Sequence, residues 1–238
     1  MGECLKRDFP RLHQHSLKGW LSIVCSGPSL EDTWPDIKHP ILTCSGAHNF
    51  LLSRGIIPDF HVDCDPRPHK LKYIESPHRD TTYLMASCCD PKTWEILRHN
   101  KVLVWHMHNG EETCDWITKN DPGSMLVAGG STVGLRALQI GGLIGYNHFN
   151  IYGMDCSKRD GKQRIIDAGA PPHNDKKMRL PSGREFETTD LLINACIEYF
   201  RSLEVFPIVC QLHGDGMLKA LQDELIKPNA KVIADLVT

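Results

Sequence analysis

The chain has 238 residues, of which 41% are hydrophobic, and its formal charge at pH 7 is -2. This length can bury one large core, so we predict a single α/β domain over residues 1–238. The near-zero charge argues against a nucleic-acid partner or an anionic membrane surface, because neither would be attracted over a long range.

Short apolar runs alternate with helical patterns along the chain. The predicted strands are 21–25, 41–45, 60–64, 82–87, 102–105, 125–128, 148–152 and 206–211. The predicted helices are 47–54, 91–100, 111–119, 131–144, 187–203 and 216–225. This alternation predicts a Rossmann-like α/β fold with a mostly parallel sheet flanked by helices and a core over about residues 20–212. Such sheets bind ligands beyond the carboxyl ends of their strands, so the loops that follow the strands form the candidate site.

Two of these loops are candidate phosphate-binding turns. Each places backbone N–H groups and hydroxyls at the start of a helix, where anions bind well. The first has the sequence Ser26-Gly27-Pro28-Ser29, and the second has the sequence Gly129-Gly130-Ser131-Thr132. The helix after the second turn begins without a carboxylate in its first turn, which leaves room for an external anion. The alternative is that Ser131 is simply the N-cap of that helix.

Three aspartates also follow predicted strands. Asp63 and Asp65 are two residues apart at a strand end, so their carboxylates should point to the same side. Such a pair repels itself unless a cation or a donor-rich substrate intervenes, which predicts binding of Mg²⁺ or of donor hydroxyls. The alternative is a cap at the turn of Pro66 beside a solvated carboxylate. Asp155 is predicted to accept a hydrogen bond from a ribose or sugar hydroxyl as a catalytic residue, or else to be a plain cap.

Residues 157–184 are rich in Gly, Pro and basic residues and lack periodicity, so we predict a long loop that acts as a lid. Its bases could meet an anionic substrate and are a mild argument for a nucleic-acid acceptor, whereas the alternative is a solvated surface segment. Within this loop, His173 could approach a bound acceptor as a general base. His106 and His108 alternate on one strand side without a third ligand nearby in sequence, and we expect them to be structural.

The ten cysteines favour packing over disulfides or zinc. Cys25, Cys44, Cys64 and Cys210 fall within or beside apolar runs, where reduced cysteine behaves as a small hydrophobe. No C-x-x-C pair occurs, the opening residues lack the apolar region of a signal peptide, and no apolar run approaches the length of a membrane span. We therefore expect a cytoplasmic protein with reduced thiols.

The motifs occur in a characteristic order along the chain. That order is Gly27-Pro28-Ser29-Leu30, then residues 55–59 with Asp63 and Asp65, then Gly130-Ser131-Thr132, and then Gly153-Met154-Asp155. This arrangement resembles the 6-hydroxymethylpterin diphosphokinase MptE-like family over about residues 20–175. The resemblance implies one of two activities. Archaeal MptE-type enzymes move a diphosphate from ATP to a pterin alcohol, whereas motility-associated flagellin glycosyltransferases carry the same domain and use nucleotide-activated nonulosonic acids.

Small bacterial sialyltransferases are also similar to this pattern, with a comparable first turn and a late histidine base, which would be His173 here. The diphosphokinases normally have an acidic residue in the loop after the second strand. In this chain that loop reads Gly46-Ala47-His48-Asn49, and Asn49 suits a hydrogen bond to a nucleotide or sugar. Losing a carboxylate weakens a metal-dependent diphosphoryl transfer, because close phosphates need charge neutralisation.

We therefore expect a nucleotide-dependent transferase, preferably a glycosyltransferase that moves a sugar from a nucleotide-activated donor to a hydroxyl acceptor. One alternative is an MptE-like pyrophosphokinase that transfers diphosphate from ATP to a pterin-type alcohol. The other alternative is a non-catalytic nucleotide-binding module, since one fold hosts many functions.

Overall fold

The computed structural model describes residues 2–166, 174–225, 233 and 236, and within this part of the chain eight strands form one sheet. These strands are β1 Trp20–Val24, β2 Ile41–Cys44, β3 Phe60–Asp63, β4 Thr82–Ala86, β5 Lys101–Met107, β6 Leu126–Val127, β7 His148–Tyr152 and β10 Val209–Leu212. Every neighbouring pair in the sheet is parallel. The predicted Rossmann-like α/β fold is therefore confirmed.

The order of the strands across the sheet has a switch point between β1 and β7. The sheet runs β10-β7-β1-β2-β3-β4-β5-β6, so β1 to β6 extend to one side while β7 and β10 are added on the other. In parallel sheets, the carboxyl ends of the strands at such a switch point border a crevice that binds ligands. The crevice in this protein lies beyond the ends of β1 and β7.

Helices cover the sheet. They are α1 Gly2–Leu5, α2 Leu30–Thr33, α3 Ala47–Leu52, α4 Thr93–Ile96, α5 Glu111–Asn120, α6 Val133–Leu143, α7 Asp190–Val205 and α8 Met217–Glu224. Short 3₁₀ helices occur at Trp34–Asp36 and Pro68–Tyr73. Helix α6 packs against β1, β2 and β3, and Gly141 lets it approach closely because a Cβ there would lie 2.7 Å from the Phe149 ring. The predicted helix at 91–100 is shortened to Thr93–Ile96.

The central strands are apolar without alternation because both of their faces are covered. All four residues of β2 and the last four of β1 are buried, as expected for a parallel sheet between helix layers. None of the ten cysteines, all of which lie in the described part of the chain, forms a disulfide, and the burial of Cys25, Cys44 and Cys64 agrees with the packing role predicted for them. Among the described residues, no helix is both long enough and apolar enough to span a membrane.

The predicted lid at 157–184 is not the structureless loop that we expected. Strand β8 Asp175–Arg179 lies within it and forms an antiparallel hairpin with β9 Glu185–Thr189, which follows it, and α7 begins at Asp190 rather than at Glu187. The hairpin docks on the end of β7, since the Thr188 hydroxyl donates to the Cys156 carbonyl at 2.9 Å. The sequence hides these strands because β8 is charged throughout except for Met178, which is fully buried.

A buried cluster of polar side chains lies between β2, β3, β4 and α3. The rings of His48 and His61 are 4.6 Å apart, and neither side chain is exposed. His48 Nε2 is 3.0 Å from the Tyr83 hydroxyl, and His61 Nδ1 is 3.1 Å from the Thr43 hydroxyl. Burial, with a smaller effect from the charge of His78, lowers the pKa of His48 to about 4. Burial also lowers the pKa of His61 well below its ordinary value.

This cluster makes stability depend on pH. The unfolded chain binds a proton at His48 below about pH 6.5, whereas the folded protein does not until pH falls to about 4. The free energy of unfolding should therefore fall as pH drops below 6.5, by about 2 kcal/mol at pH 5 from His48 alone. Urea denaturation at pH 7.5 and pH 5 should show this loss, and His48→Gln should reduce it. The exposed His108→Gln should not, and a wild-type pH slope in His48→Gln would contradict the assignment.

Candidate functional site

A cavity of about 170 Å³ lies at the switch point between β1 and β7. Its wall contains residues from the ends of β1, β2 and β7, from the loop after β3, and from the start of α6. The polar and charged residues of this wall are Ser26, Ser45, Asp65, Arg67, Lys70, Ser131, Thr132, Asp155, Ser157, Gln163 and Arg164. Leu191, Leu192 and Ala195 of α7 add an apolar side. The cavity thus combines hydrogen-bond donors with a surface on which a planar or apolar group can pack.

The turns after β1 and β7 fit together closely. The Gly27 N–H donates to the Gly153 carbonyl at 2.8 Å, which continues the β1–β7 ladder beyond the strands. A Cβ on Gly27 would lie 2.5 Å from that carbonyl oxygen and 2.6 Å from Asp155 Oδ2. Gly27 is therefore required by close packing of the two turns, in addition to any role in phosphate binding.

Asp155 ties these turns together. Its Oδ2 accepts a hydrogen bond from the Ser29 backbone N–H at 2.7 Å, and its Oδ1 accepts one from the Ser29 hydroxyl. Burial raises the pKa of Asp155, and the hydrogen bonds from Ser29 oppose that rise. The carboxylate forms part of the cavity wall, but Ser29 occupies it on both oxygens. This geometry favours a positioning role for Asp155 and removes Ser29 from the groups free to bind phosphate.

The start of α6 binds a carboxylate from elsewhere in the chain. Glu198 of α7 accepts hydrogen bonds from the Ser131 backbone N–H at 2.8 Å and from the Ser131 hydroxyl at 2.7 Å. The N-cap itself is Thr132, whose hydroxyl accepts the Leu135 N–H, so Ser131 is not the cap. The N–H groups of Val133 and Gly134 belong to the first turn of α6 and have no acceptor within the helix. Both residues line the cavity, which keeps this turn a candidate anion site.

Three basic side chains lie on the cavity wall: Arg67 and Lys70, which were not identified from the sequence, and Arg164, which belongs to the predicted basic loop at 157–184. Arg67 Nε donates to Asp65 Oδ1 at 2.8 Å, and Lys70 Nζ lies 3.4 Å from Asp65 Oδ2. Arg164 makes no hydrogen bond or ion pair with any described residue. Two cations therefore share one carboxylate while the third has no partner within residues 2–166 and 174–225, so this described part of the wall carries excess positive charge.

The predicted metal pair is held by donors of the chain itself. Asp63 Oδ1 accepts the backbone N–H groups of Cys64 at 2.7 Å and Asp65 at 3.0 Å. Burial raises the pKa of Asp63. Burial alone would raise the pKa of Asp65. Hydrogen bonds from Arg67 and the charge of Lys70 outweigh it and lower that pKa to about 2.

These contacts do not suit a resident Mg²⁺ between Asp63 and Asp65. Hard cations need several oxygen ligands that are free to coordinate, and the Asp65 carboxylate is already paired with Arg67 and Lys70. Asp65 lines the cavity, whereas Asp63 does not. Over residues 2–166 and 174–225, no group of three or more His, Cys, Asp or Glu side chains is placed to hold a metal ion.

The structure brings only some of the predicted residues to the cavity. Ser26, Gly27, Asp65, Ser131, Thr132 and Asp155 line it, while Pro28, Ser29, Asn49, Asp63, Gly129 and Gly130 do not. The side-chain amide of Asn49 donates to the Lys72 carbonyl at 2.9 Å instead. His173 lies outside the described residues. His106 is structural as expected, because its ring is hydrogen-bonded to Ser87 and Asp121, both at 2.7 Å.

The backbone is unusual where the strands enter the cavity. Ser45 and Cys156 have φ angles of 49° and 54°, a left-handed conformation that non-glycine residues rarely adopt. Both residues line the cavity, one after β2 and the other after β7. Backbone strain of this kind tends to occur at functional sites. Sequence patterns could not reveal it, because neither Ser nor Cys signals a left-handed turn.

A sequence model of the 6-hydroxymethylpterin diphosphokinase MptE-like family matches residues 2–161. The chain belongs to this family. The matched segment includes β1 to β7 and the turn at Asp155, and it ends before the β8–β9 hairpin and α7. The cavity of this MptE-like protein is therefore built mainly from the family segment, and Gln163, Arg164 and the side formed by α7 lie beyond it. No curated protein matches the chain.

Among solved structures, the MptE-like chain is similar to the structure of MAf glycosyltransferase from Magnetospirillum magneticum AMB-1. The TM-score is 0.67 at 15% sequence identity, and the alignment covers 99% of this chain and 43% of that chain. At this identity the likeness is one of fold. The MptE-like chain spans less than half the length of that protein.

The close approach of the two turns gives a stability test. Gly27→Ala should lower the free energy of unfolding by about 2 kcal/mol, because the new methyl group would force the β1 and β7 turns apart. Gly142→Ala in α6 is the matched control, since a Cβ there meets nothing within 4 Å. That change should stabilise the protein by up to about 1 kcal/mol. Chemical denaturation measures both, and equal effects of the two substitutions would refute the packing account.

Proposed function

We propose that this MptE-like protein is a nucleotide-dependent transferase, and specifically a glycosyltransferase that moves a sugar from a nucleotide-activated donor to a hydroxyl acceptor. The single observation that carries the proposal is the composition of the switch-point cavity. It places the basic residues Arg67, Lys70 and Arg164 in the same wall as the first turn of α6. Phosphate oxygens are the ligands that such a set of donors and charges recognises.

In this proposal, the donor phosphate binds between the start of α6 and the basic wall. Ser26 and Gly27 approach it from β1, and Arg164 supplies charge-assisted hydrogen bonds. The apolar side from Leu191, Leu192 and Ala195 packs against the base or the sugar ring. Asp155 keeps the β1 turn in place through Ser29.

The transfer itself needs a base and a stabilised leaving group. The acceptor oxygen forms a bond to the anomeric carbon of the sugar as the bond from that carbon to the phosphate oxygen breaks. The nucleotide leaves with the electron pair, and the acceptor proton passes to a base, the role we assign to His173. Cations beside the phosphate stabilise the negative charge that develops on the leaving group. Asp63 and Asp65 do not fit a resident Mg²⁺, so this charge stabilisation falls to Arg67, Lys70 and Arg164.

The diphosphokinase activity in the family's name is the second candidate. It is favoured by the match over residues 2–161. It is opposed by the chemistry of the cavity, because transfer between close phosphates normally requires a bound metal, and both aspartates of the predicted pair are already satisfied.

A panel of nucleotides separates the two candidates. Thermal shift with CMP, UDP, GDP and ATP, each with and without Mg²⁺, reports binding because a ligand of the folded state raises the melting temperature. We expect stabilisation by CMP or UDP that does not need Mg²⁺. Stabilisation by ATP alone, and only with Mg²⁺, would favour the diphosphokinase.

Arg164 is the sharpest single test of phosphate binding in the cavity. Arg164→Ala should weaken binding of the preferred nucleotide about tenfold, because one charge-assisted hydrogen bond is lost. Lys162→Ala removes the same charge from an exposed position two residues away and should leave the affinity unchanged. Titration calorimetry measures both variants, and equal affinities for Arg164→Ala and wild type would move the phosphate site elsewhere.

His173→Ala should abolish turnover of the donor while nucleotide binding persists, because a base acts on the acceptor and not on the nucleotide. The exposed His108→Ala serves as the matched control and should keep full turnover. Release of nucleotide from the activated donor is the readout. Unchanged turnover in His173→Ala would remove this residue from the mechanism.

A further inference from the structure

An anion already binds at the start of α6, and the chain itself supplies it. Glu198 lies in α7, and its Oε2 accepts both the backbone N–H and the hydroxyl of Ser131. Ser131 is one of the residues that line the switch-point cavity. The carboxylate therefore uses the same donors that a phosphate oxygen would use at this turn.

The approach of Glu198 is built into the turn. A Cβ on Gly130 would lie 2.6 Å from Glu198 Oε2 and 2.4 Å from Leu135 Cδ1, so a larger residue at this position would push the carboxylate away. The position is also favourable electrostatically, since the N-terminus of α6 carries partial positive charge and no acidic residue occurs in its first turn.

Little else holds the Glu198 side chain in place. Its two carboxylate hydrogen bonds among the described residues both go to Ser131, and no described Lys or Arg forms an ion pair with it. The side chain is partly exposed, so it can rotate into water at the cost of these two bonds. Its carboxylate is thus a removable occupant of the turn, unlike that of Asp155, which is buried against Ser29.

We propose that Glu198 is a specificity-determining residue that competes with the substrate phosphate for Ser131. This inference rests on the proposed function of the cavity. A phosphate can accept the hydrogen bonds of Ser131 only by displacing the Glu198 carboxylate. To offset that cost, an incoming anion must also bind the basic wall of Arg67, Lys70 and Arg164. The residue thereby selects anions that reach both the basic wall and Ser131, such as a nucleotide phosphate or pyrophosphate, against small single anions that reach only one of them.

Glu198→Gln tests the competition directly. It removes the negative charge, keeps the length of the side chain, and should raise the affinity for inorganic pyrophosphate about tenfold. Glu204→Gln is the matched control, because it removes the same charge from an exposed position of α7 and should not change the affinity. Titration calorimetry with pyrophosphate is the measurement, and thermal denaturation is recorded for each variant.

A second substitution separates competition from a structural role. Ser131→Ala in the Glu198→Gln background should reverse most of the gain in affinity, since the freed hydroxyl is what the pyrophosphate acquires. If Glu198 is purely structural, Glu198→Gln should instead lower the melting temperature and leave the affinity for pyrophosphate unchanged. That result would overturn the inference, whereas nucleotide binding by the wild type would leave the proposed function standing. Absence of binding of pyrophosphate and of every nucleotide to all variants would contradict both.

Discussion

The contact between Asp155 and Ser29 is the interaction on which the candidate site depends. It joins the turn after β7 to the turn after β1. The switch point in the strand order of the sheet lies between these two strands. Glycines make the contact possible, because a Cβ on Gly27, Gly153 or Gly216 would lie 2.6 Å or less from backbone or side-chain atoms of these turns. The Asp155 carboxylate, which we expected to contact the substrate, therefore links two turns of the protein to each other. The crevice beside this contact stays open.

The charges of the cavity follow one principle. Each acidic side chain near it already has donors within the chain: Asp155 has Ser29, Asp65 has Arg67 and Lys70, and Glu198 has Ser131. Buried or half-buried carboxylates need such partners, since an unsatisfied charge is costly away from water. Arg164, in contrast, has no partner among the described residues. The cavity is consequently suited to an incoming anion.

Local patterns in the sequence predicted where the sheet strands lie along the chain, that they are mostly parallel, and part of the turns that reach the cavity, because these features follow from nearby residues. The β8–β9 hairpin escaped prediction because its strands are charged and bury few side chains, such as Met178 and Thr188. Glu198 escaped prediction because its contact with the site crosses a long stretch of chain, and Arg67 and Lys70 escaped because their pairing with Asp65 follows no motif that the sequence displays. Ser131 and Glu198 are 67 residues apart, and no local motif connects them. Asn49 is the opposite case, because local sequence predicted a contact that the structure does not show. Its side-chain amide was expected to bind a nucleotide or sugar, but it donates to the Lys72 carbonyl instead.

Hydrogen exchange in the presence of the nucleotide that stabilises the protein most is the direct test of the central claim, that the switch-point cavity is the nucleotide site. Amides in three segments should become protected on binding: 25–29 after β1, 131–136 at the start of α6, and 153–158 after β7. Segments at the ends of β4 and β5, around residues 87–90 and 106–110, should exchange as in the free protein. Protection confined to those distant strand ends, with none at the three turns, would contradict the account.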